Sequence, residues 1–235
     1  MNKHQQLAAY ISRHTDRVVQ VVEFDKSADC LLSFDFTAAN TSLTPDDIAD
    51  TVKFSSWVDA ELAKSGCRYG IGGYMEHRTL YARSELFNTD GHEPRRLHLG
   101  VDIWGPASTP VYAPLYGKIH SFQNNDHFGD YGPTIILEHD LDGMPLYSLY
   151  GHLSQESIQN LTVGQSINVG QCIAHLGNMN ENGNWPPHLH FQLMFDMQGH
   201  AGDYPGVSRY SEEQIYRQNI PDPDVILQFS GATII

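Results

Sequence analysis

Residues 186–193 read PPHLHFQL, which places His188 and His190 at i and i+2. Successive side chains of a strand alternate between faces, so on a strand these two imidazoles share one face and Leu189 and Phe191 share the other. The plain reading is two histidines on a half-exposed strand. The chemical reading is a metal ligand beside a catalytic base, two tasks that neutral imidazole performs near neutral pH. Two further stretches carry matching chemistry. HLGVDIW supplies His98 and Asp102 at i and i+4, and YSLYGHLS supplies His152. Two imidazoles and one carboxylate leave a fourth position open on zinc, the pattern of a catalytic site; a structural site wants four ligands, usually thiolates.

The spacing of His98 and Asp102 asks for a bend. Gly100, Val101, Ile103 and Trp104 disfavour a helix, and on a flat strand the two Cα atoms would lie about 13 Å apart. Gly100 permits a bulge or bend that brings the ends together. His188 and His190 need no such device. Their Cα atoms lie about 6.6 Å apart on a strand, so one can ligate while the other reaches a bound water or the substrate. Pro186 and Pro187 fix φ and set the angle at which that strand enters.

The elements that must position these residues are short. From residue 97, β-like runs alternate with Gly, Pro, Asn and Asp, and no long helical pattern interrupts them. The sequence predicts an antiparallel β-sheet domain over 86–202, giving a mainly β chain that is α+β overall. A smaller α/β N-terminal region occupies 1–85. It holds a short helix over 2–15, strands at VVQVVEF (18–24) and LLSFDF (31–36), and a helix opened by Thr44 and Pro45 and closed by Gly66. GIGGY (70–74) reads as a turn or bulge, since it lacks the Lys-Ser/Thr of a phosphate-binding loop. A tail over 203–235 packs on the core, with a short helix at SEEQIYRQN and an extended PDPDVIL.

Composition bounds the partners. The chain has 235 residues and a formal net charge of −14. No basic stripe offsets that charge, which excludes nucleic acid and disfavours anionic membranes. The N-terminus has no apolar signal region and no run approaches a membrane span, so the expected location is the cytoplasm, or outside it if a leader has been removed. Cys30, Cys67 and Cys172 form no C-x-x-C pair and read as plain thiols. Composition does not fix the oligomeric state.

The order of motifs carries a resemblance. H-x-x-x-D at 98–102, then Tyr-Gly-His-Leu-Ser, then Pro-His-Leu-His-Phe resembles the lysostaphin/LytM-type zinc endopeptidases. GPASTPVYAPLYGKI, YGPTIILEH and VGQSINVGQCIAHLG lie between them in the family's order, and the resemblance covers about residues 96–195. GGYMEHRTLYARSELF resembles the lead-in of a leaderless subgroup found in cytosolic multidomain proteins. The resemblance implies a β-sheet core of the duplicated-hybrid-motif type. It implies His98, Asp102 and His190 as ligands of one zinc ion per chain, and His152 and His188 as the catalytic pair. The implied activity is metallopeptidase hydrolysis of a peptide bond, with peptidoglycan-type peptides or their fragments as substrate. Two positions depart from the pattern: the loop NENGNWPPHLH carries the bulky Trp185, and Gln192 stands where the family has glutamate. Hydrolysis of a small cytosolic amide, or a non-catalytic binding module of the same fold, are the alternatives.

The remaining histidines read differently. His139 is read as structural or at the cleft rim, His120, His127, His175 and His200 as surface or packing residues, and His92 as a candidate neighbour of the cleft. Tyr74, Glu76 and Arg78 form a candidate polar network joining the N-terminal region to the cleft. Asp130 and Tyr131 read as a turn. Trp185 is either a loop anchor or a substrate platform.

Overall fold

The computed structural model describes residues 1–88 and 92–235. Its strands are β1 (Cys30–Ser33), β2 (Tyr69–Gly72), β3 (Leu97–His98), β4 (Val101–Trp104), β5 (Pro110–Tyr112), β6 (Gly117–Asn125), β7 (Gly132–Leu141), β8 (Met144–Gly151), β9 (Ser166–Ile167), β10 (Cys172–His175), β11 (His188–Met194), β12 (Val207–Ser208) and β13 (Thr233–Ile234). The helices are α1 (Lys3–Arg13), α2 (Pro45–Ala49), α3 (Thr51–Ser65), α4 (Glu213–Asn219) and α5 (Asp224–Leu227). Among the described residues, nine strands form one mixed sheet in the order β13-β1-β2-β4-β11-β8-β7-β6-β9.

The sheet is antiparallel from β2 through β9, as the alternating texture after residue 97 predicts, but its far edge is parallel. There β1 runs parallel to both β2 and β13. A strand from the N-terminal region and one from the C-terminal tail thus extend the sheet that carries the chemistry. GIGGY is accordingly not a free turn: Tyr69–Gly72 is a ladder strand, with Gly72 opposite Asp102.

Register explains the placement of the site. Strand β11 lies between β4 and β8, with His190 opposite Asp102 on one side and Gly151 on the other. Directly opposed residues have Cβ atoms about 5 Å apart, so this pairing brings Asp102, His190 and the adjacent His152 into one neighbourhood. Leu189, Phe191 and Leu193 point to the other face, into a core shared with Val101, Ile103, Ile135 and Tyr150. Each such burial stabilises by about 1.5–3 kcal/mol, so the register is strongly held and a one-residue slip is penalised. The histidine face is covered as well. Phe34, Phe36 and Phe54 from the N-terminal region pack with Trp104 and Trp185 in a second cluster. Strand β11 is therefore buried on both faces, which corrects the half-exposed reading.

Local signals account for most helix ends. Thr44 caps α2 through a reciprocal pair with Asp47, and Pro45 opens it. The helix expected up to Gly66 is divided at Asp50, whose carboxylate accepts from Val52 and Lys53 N–H and starts α3. Residues 18–24 form no strand and bend at Val21 and Val22. Val19 N–H donates to Pro114 and Val21 carbonyl accepts from Tyr112, too sparse for a ladder, while Val21 and Val22 are fully buried. The strand expected over 31–36 ends at Ser33, and PDPDVIL is not extended but forms the short helix α5.

Two cysteines also differ from expectation. Cys30 and Cys67 form a disulfide with a Cα–Cα distance of 4.8 Å, while Cys172 is free. Their sequence separation of 37 hides the pairing, which arises because β1 and β2 lie side by side. No described helix is long and apolar enough to cross a membrane.

Candidate metal centre and active site

The bend at Gly100 is real. Strand β3 pairs with β12 in a separate small sheet, the chain turns through Leu99–Gly100, and β4 enters the main sheet. The glycine is required by close approach: a Cβ there would lie 2.7 Å from the His190 ring and 2.8 Å from the Phe191 carbonyl. With that bend, His98, Asp102 and His190 converge and all three are buried. His98 Nε2 lies 3.2 Å from Asp102 Oδ1, His190 Nδ1 lies 3.1 Å from the same oxygen, and the two nitrogens are 3.0 Å apart.

Hydrogen bonds behind the rings fix what those atoms offer. The Nδ1–H of His98 donates to the Gly73 carbonyl at 2.9 Å. The Nε2–H of His190 donates to Gln192 Oε1 at 3.0 Å, and Gln192 is itself oriented by donating to the Pro205 carbonyl. Each ring spends its proton on a carbonyl-type oxygen, so His98 Nε2 and His190 Nδ1 present lone pairs. Three acceptors facing one another without a donor repel unless a cation lies among them. Ligands at about 2.0–2.1 Å around tetrahedral zinc are spaced by about 3.3 Å, close to the observed triangle.

Arg78 completes the anchoring of Asp102. This guanidinium is 1% exposed and donates to Asp102 Oδ2 at 2.5 Å and to Glu76 at 2.6 Å. Gly72 makes room for it, since a Cβ there would lie 2.3 Å from its Nη2. Burial alone pushes the Asp102 carboxyl up, but positive charge from His98 when protonated, and permanently from Arg78, holds it well below the usual range. His98 moves the other way: burial and the nearby Arg78 push it down to about 4, leaving a neutral ligand. The network suspected among Tyr74, Glu76 and Arg78 resolves into two parts. Glu76 and Arg78 clamp Asp102, while Tyr74 bonds the Ile220 carbonyl in the tail.

His188 and His152 stand beside the triangle, their ring centroids 4.2 Å apart. His188 Nδ1–H donates to the Pro186 carbonyl at 2.7 Å and His152 Nδ1–H to the Asn182 carbonyl at 2.9 Å. Each is left with Nε2 as a proton acceptor, and His188 Nε2 lies 3.9 Å from Asp102 Oδ1. Burial drives both rings toward the neutral form, His188 to about 4 and His152 well below its ordinary value. His152 sits at φ 63°, a left-handed conformation that costs a non-glycine residue of order 1 kcal/mol or more. Its N–H to Tyr131 carbonyl and its carbonyl to Gly177 N–H hold it there. Trp104 stacks on His188 at 4.0 Å.

All five residues singled out in the sequence thus come together. Tyr131 was missed, because its DYG context signals only a turn. Its hydroxyl donates to the Tyr204 carbonyl and lies 3.4 Å from His190 Nε2. Gln192 was traceable, since strand alternation puts it on the face of His190. Trp185 is 3% exposed, pressed between Phe54, Tyr81 and Arg83, and lines the cavity as a fixed wall. His139 is structural, bonding the Tyr116 carbonyl and Ser148 Oγ inside the sheet. His92 is exposed and does not line the cavity.

Known proteins resemble parts of this chain. Residues 96–203 match the model of Peptidase family M23. The chain is 32% identical over 96 residues to the uncharacterized lipoprotein YgeR of Escherichia coli (strain K12), covering 41% of this chain and 34% of that protein. It is 29% identical over 125 residues to the L-Ala--D-Glu endopeptidase of Bacillus subtilis (strain 168), covering 51% of this chain and 36% of that one. The chain thus spans about a third of the length of these curated relatives. The catalytic domain of the antimicrobial peptidase lysostaphin from Staphylococcus simulans superimposes with a TM-score of 0.44 at 26% identity, covering 74% of this chain and 97% of that domain. Through residues 96–203, just under half of its length, this chain is similar to peptidase family M23.

Proposed function

We propose that this chain is a zinc-dependent hydrolase of a peptide or amide bond, with His98, Asp102 and His190 as ligands of one ion and His152 and His188 as the catalytic pair. The observation that carries the reading is the triangle of His98 Nε2, His190 Nδ1 and Asp102 Oδ1, with these atoms 3.0–3.2 Å apart. Zinc bound there supplies a Lewis acid and brings the pKa of a coordinated water toward about 7. The protein's own residues do the rest. Gly73, Gln192 and Arg78 keep the donor atoms aimed. His188 and His152, each with Nε2 free, divide two tasks between them: taking up a proton and returning it to the leaving amine, and donating to the oxyanion that develops on the scissile carbonyl. Exclusion of water by Trp104 and Trp185 strengthens each of these interactions.

The likeness to this family makes a peptide the default substrate, and the relative named as an L-Ala--D-Glu endopeptidase makes peptidoglycan peptides the first to try. In this reading 86–202 supplies the donors, while 1–85 and 203–235 help to cover them. The Cys30–Cys67 disulfide favours an oxidising compartment over the cytoplasm. Purified protein should carry one zinc per chain and cleave an L-Ala-D-Glu-containing peptide. Zinc-loaded protein that cleaves no amide in a panel of peptides and small amides would remove this reading.

A further inference from the structure

The walls of the cavity above the triangle come largely from outside the ligand-bearing strands. One side is Arg78, Leu80, Tyr81 and Phe87, and another is the tail segment around Tyr204. The site is deeply enclosed: His98, Asp102, His188 and His190 are no more than 3% exposed and His152 is 6% exposed. Among the residues lining the cavity, only Leu86, Arg95, Asp130, Asp203 and Pro205 are more than slightly exposed. Among the described residues these five mark the mouth, and every other lining residue is buried. The cavity volume is about 140 Å³. A cavity of about 150 Å³ holds a benzene-sized group. That is room for one small residue or acyl group, far below the extended cleft that a continuous chain needs on both sides of a scissile bond.

The cover is part of the folded body. Strand β2, just before Arg78, is hydrogen-bonded to β4, and Arg78 N–H donates to the Arg96 carbonyl. Thr79 N–H donates to Phe36, and Leu99 N–H and Arg96 N–H donate to Gly206 and Ser208 of the tail. Arg78 is also paired with the candidate ligand Asp102 itself. Lifting this cover would break the ladder and leave a buried carboxylate unpaired, at a cost of several kcal/mol.

We propose that the site is a blind pocket that takes one end of a compact substrate, a small amide or short peptide with no more than about one residue beyond the scissile bond on the buried side, and that it does not cut within a continuous or cross-linked polymer. This inference rests on the hydrolytic reading above and narrows its substrate.

The test uses the zinc-loaded 235-residue chain and one amide bond in three settings: a di- or tripeptide, the same sequence extended on both sides by several residues, and intact cell-wall sacculi. The short substrate should be favoured in kcat/KM by about a hundredfold or more, because the extended ones clash with fixed walls. Equal or better turnover of the extended peptide or the sacculi overturns the proposal. A second readout does not need turnover. In cobalt-substituted protein, acetohydroxamate should perturb the visible absorption, whereas a hydroxamate placed mid-chain in a long peptide should not. Perturbation by both overturns the size limit. Failure to cleave any setting would count against the hydrolytic reading, while the cobalt spectra would still decide the pocket's size. Leu86→Ala, at the mouth, should narrow the preference for the short substrate.

Discussion

The two sides of the cavity are built by different means. On the donor side, β4, β11 and β8 are neighbours in one antiparallel ladder, and register alone sets Asp102 beside His190 and His190 beside Gly151. On the covering side, Arg78, the segment through Phe87 and the tail around Tyr204 meet the site from other parts of the chain, held by the short β3–β12 pairing, isolated backbone bonds and side-chain packing. The donor side encodes chemistry in short spacings. The covering side encodes access in long-range contacts.

The largest expected effect lies on the donor side. His190→Ala removes one corner of the triangle and should abolish tight zinc binding, with turnover falling about a thousandfold or more. Zinc titration against a chelator measures it, and retention of zinc at wild-type affinity would break the assignment of roles to the two sides.

The next effect is a pH dependence of the sheet itself. His139 is buried on β7, and burial pushes its pKa down to about 4. The unfolded chain takes up this proton near the ordinary value of about 6.5 while the folded one does not, so the stabilisation is present above that pH and is lost as pH falls toward 4. Its upper size is about 3 kcal/mol. Denaturant midpoints between pH 7 and 4.5 should fall, and the His139 imidazole signals should stay those of a neutral ring at pH 5.5. A protonated His139 in the folded protein at that pH would contradict it.

The disulfide tests the covering side. Cys30→Ser should lower stability by about 2–4 kcal/mol, because it releases the constraint on the loop between β1 and β2. Zinc stoichiometry should stay at one, since neither sulfur approaches the donors. Loss of zinc in that variant would mean that the two sides are not separable. The smallest effect crosses between them. Arg78→Met removes a guanidinium that the covering side lends to Asp102 and should weaken zinc binding by about 10–100-fold, with Arg78→Lys restoring part of it. Unchanged affinity would show that the clamp is only structural.

This division also explains what could be read in the sequence. H-x-x-x-D, the Tyr-Gly-His segment and H-x-H are visible because strand alternation and one glycine bend suffice to make them converge. Gln192 belongs to the same logic. Tyr131 and the Asp102 pairing of Arg78 are not readable that way, since no local period links Arg78 to Asp102 or Tyr131 to His190. The Cys30–Cys67 bond and the parallel edge β13-β1-β2 were hidden for the same reason: each joins segments far apart in the chain. Residues 18–24 have the β-branched composition of a strand, but only scattered bonds reach them, so burial rather than a ladder accounts for their valines.

The central claim is that His98, Asp102 and His190 hold the ion and leave one position open. X-ray absorption on the zinc-loaded protein tests this most directly. The account predicts two imidazole nitrogens, one carboxylate oxygen and one further light atom at about 2.0–2.1 Å, with the imidazole signal weakened in His98→Ala. Sulfur ligation, or an imidazole count unchanged in His98→Ala, would contradict it.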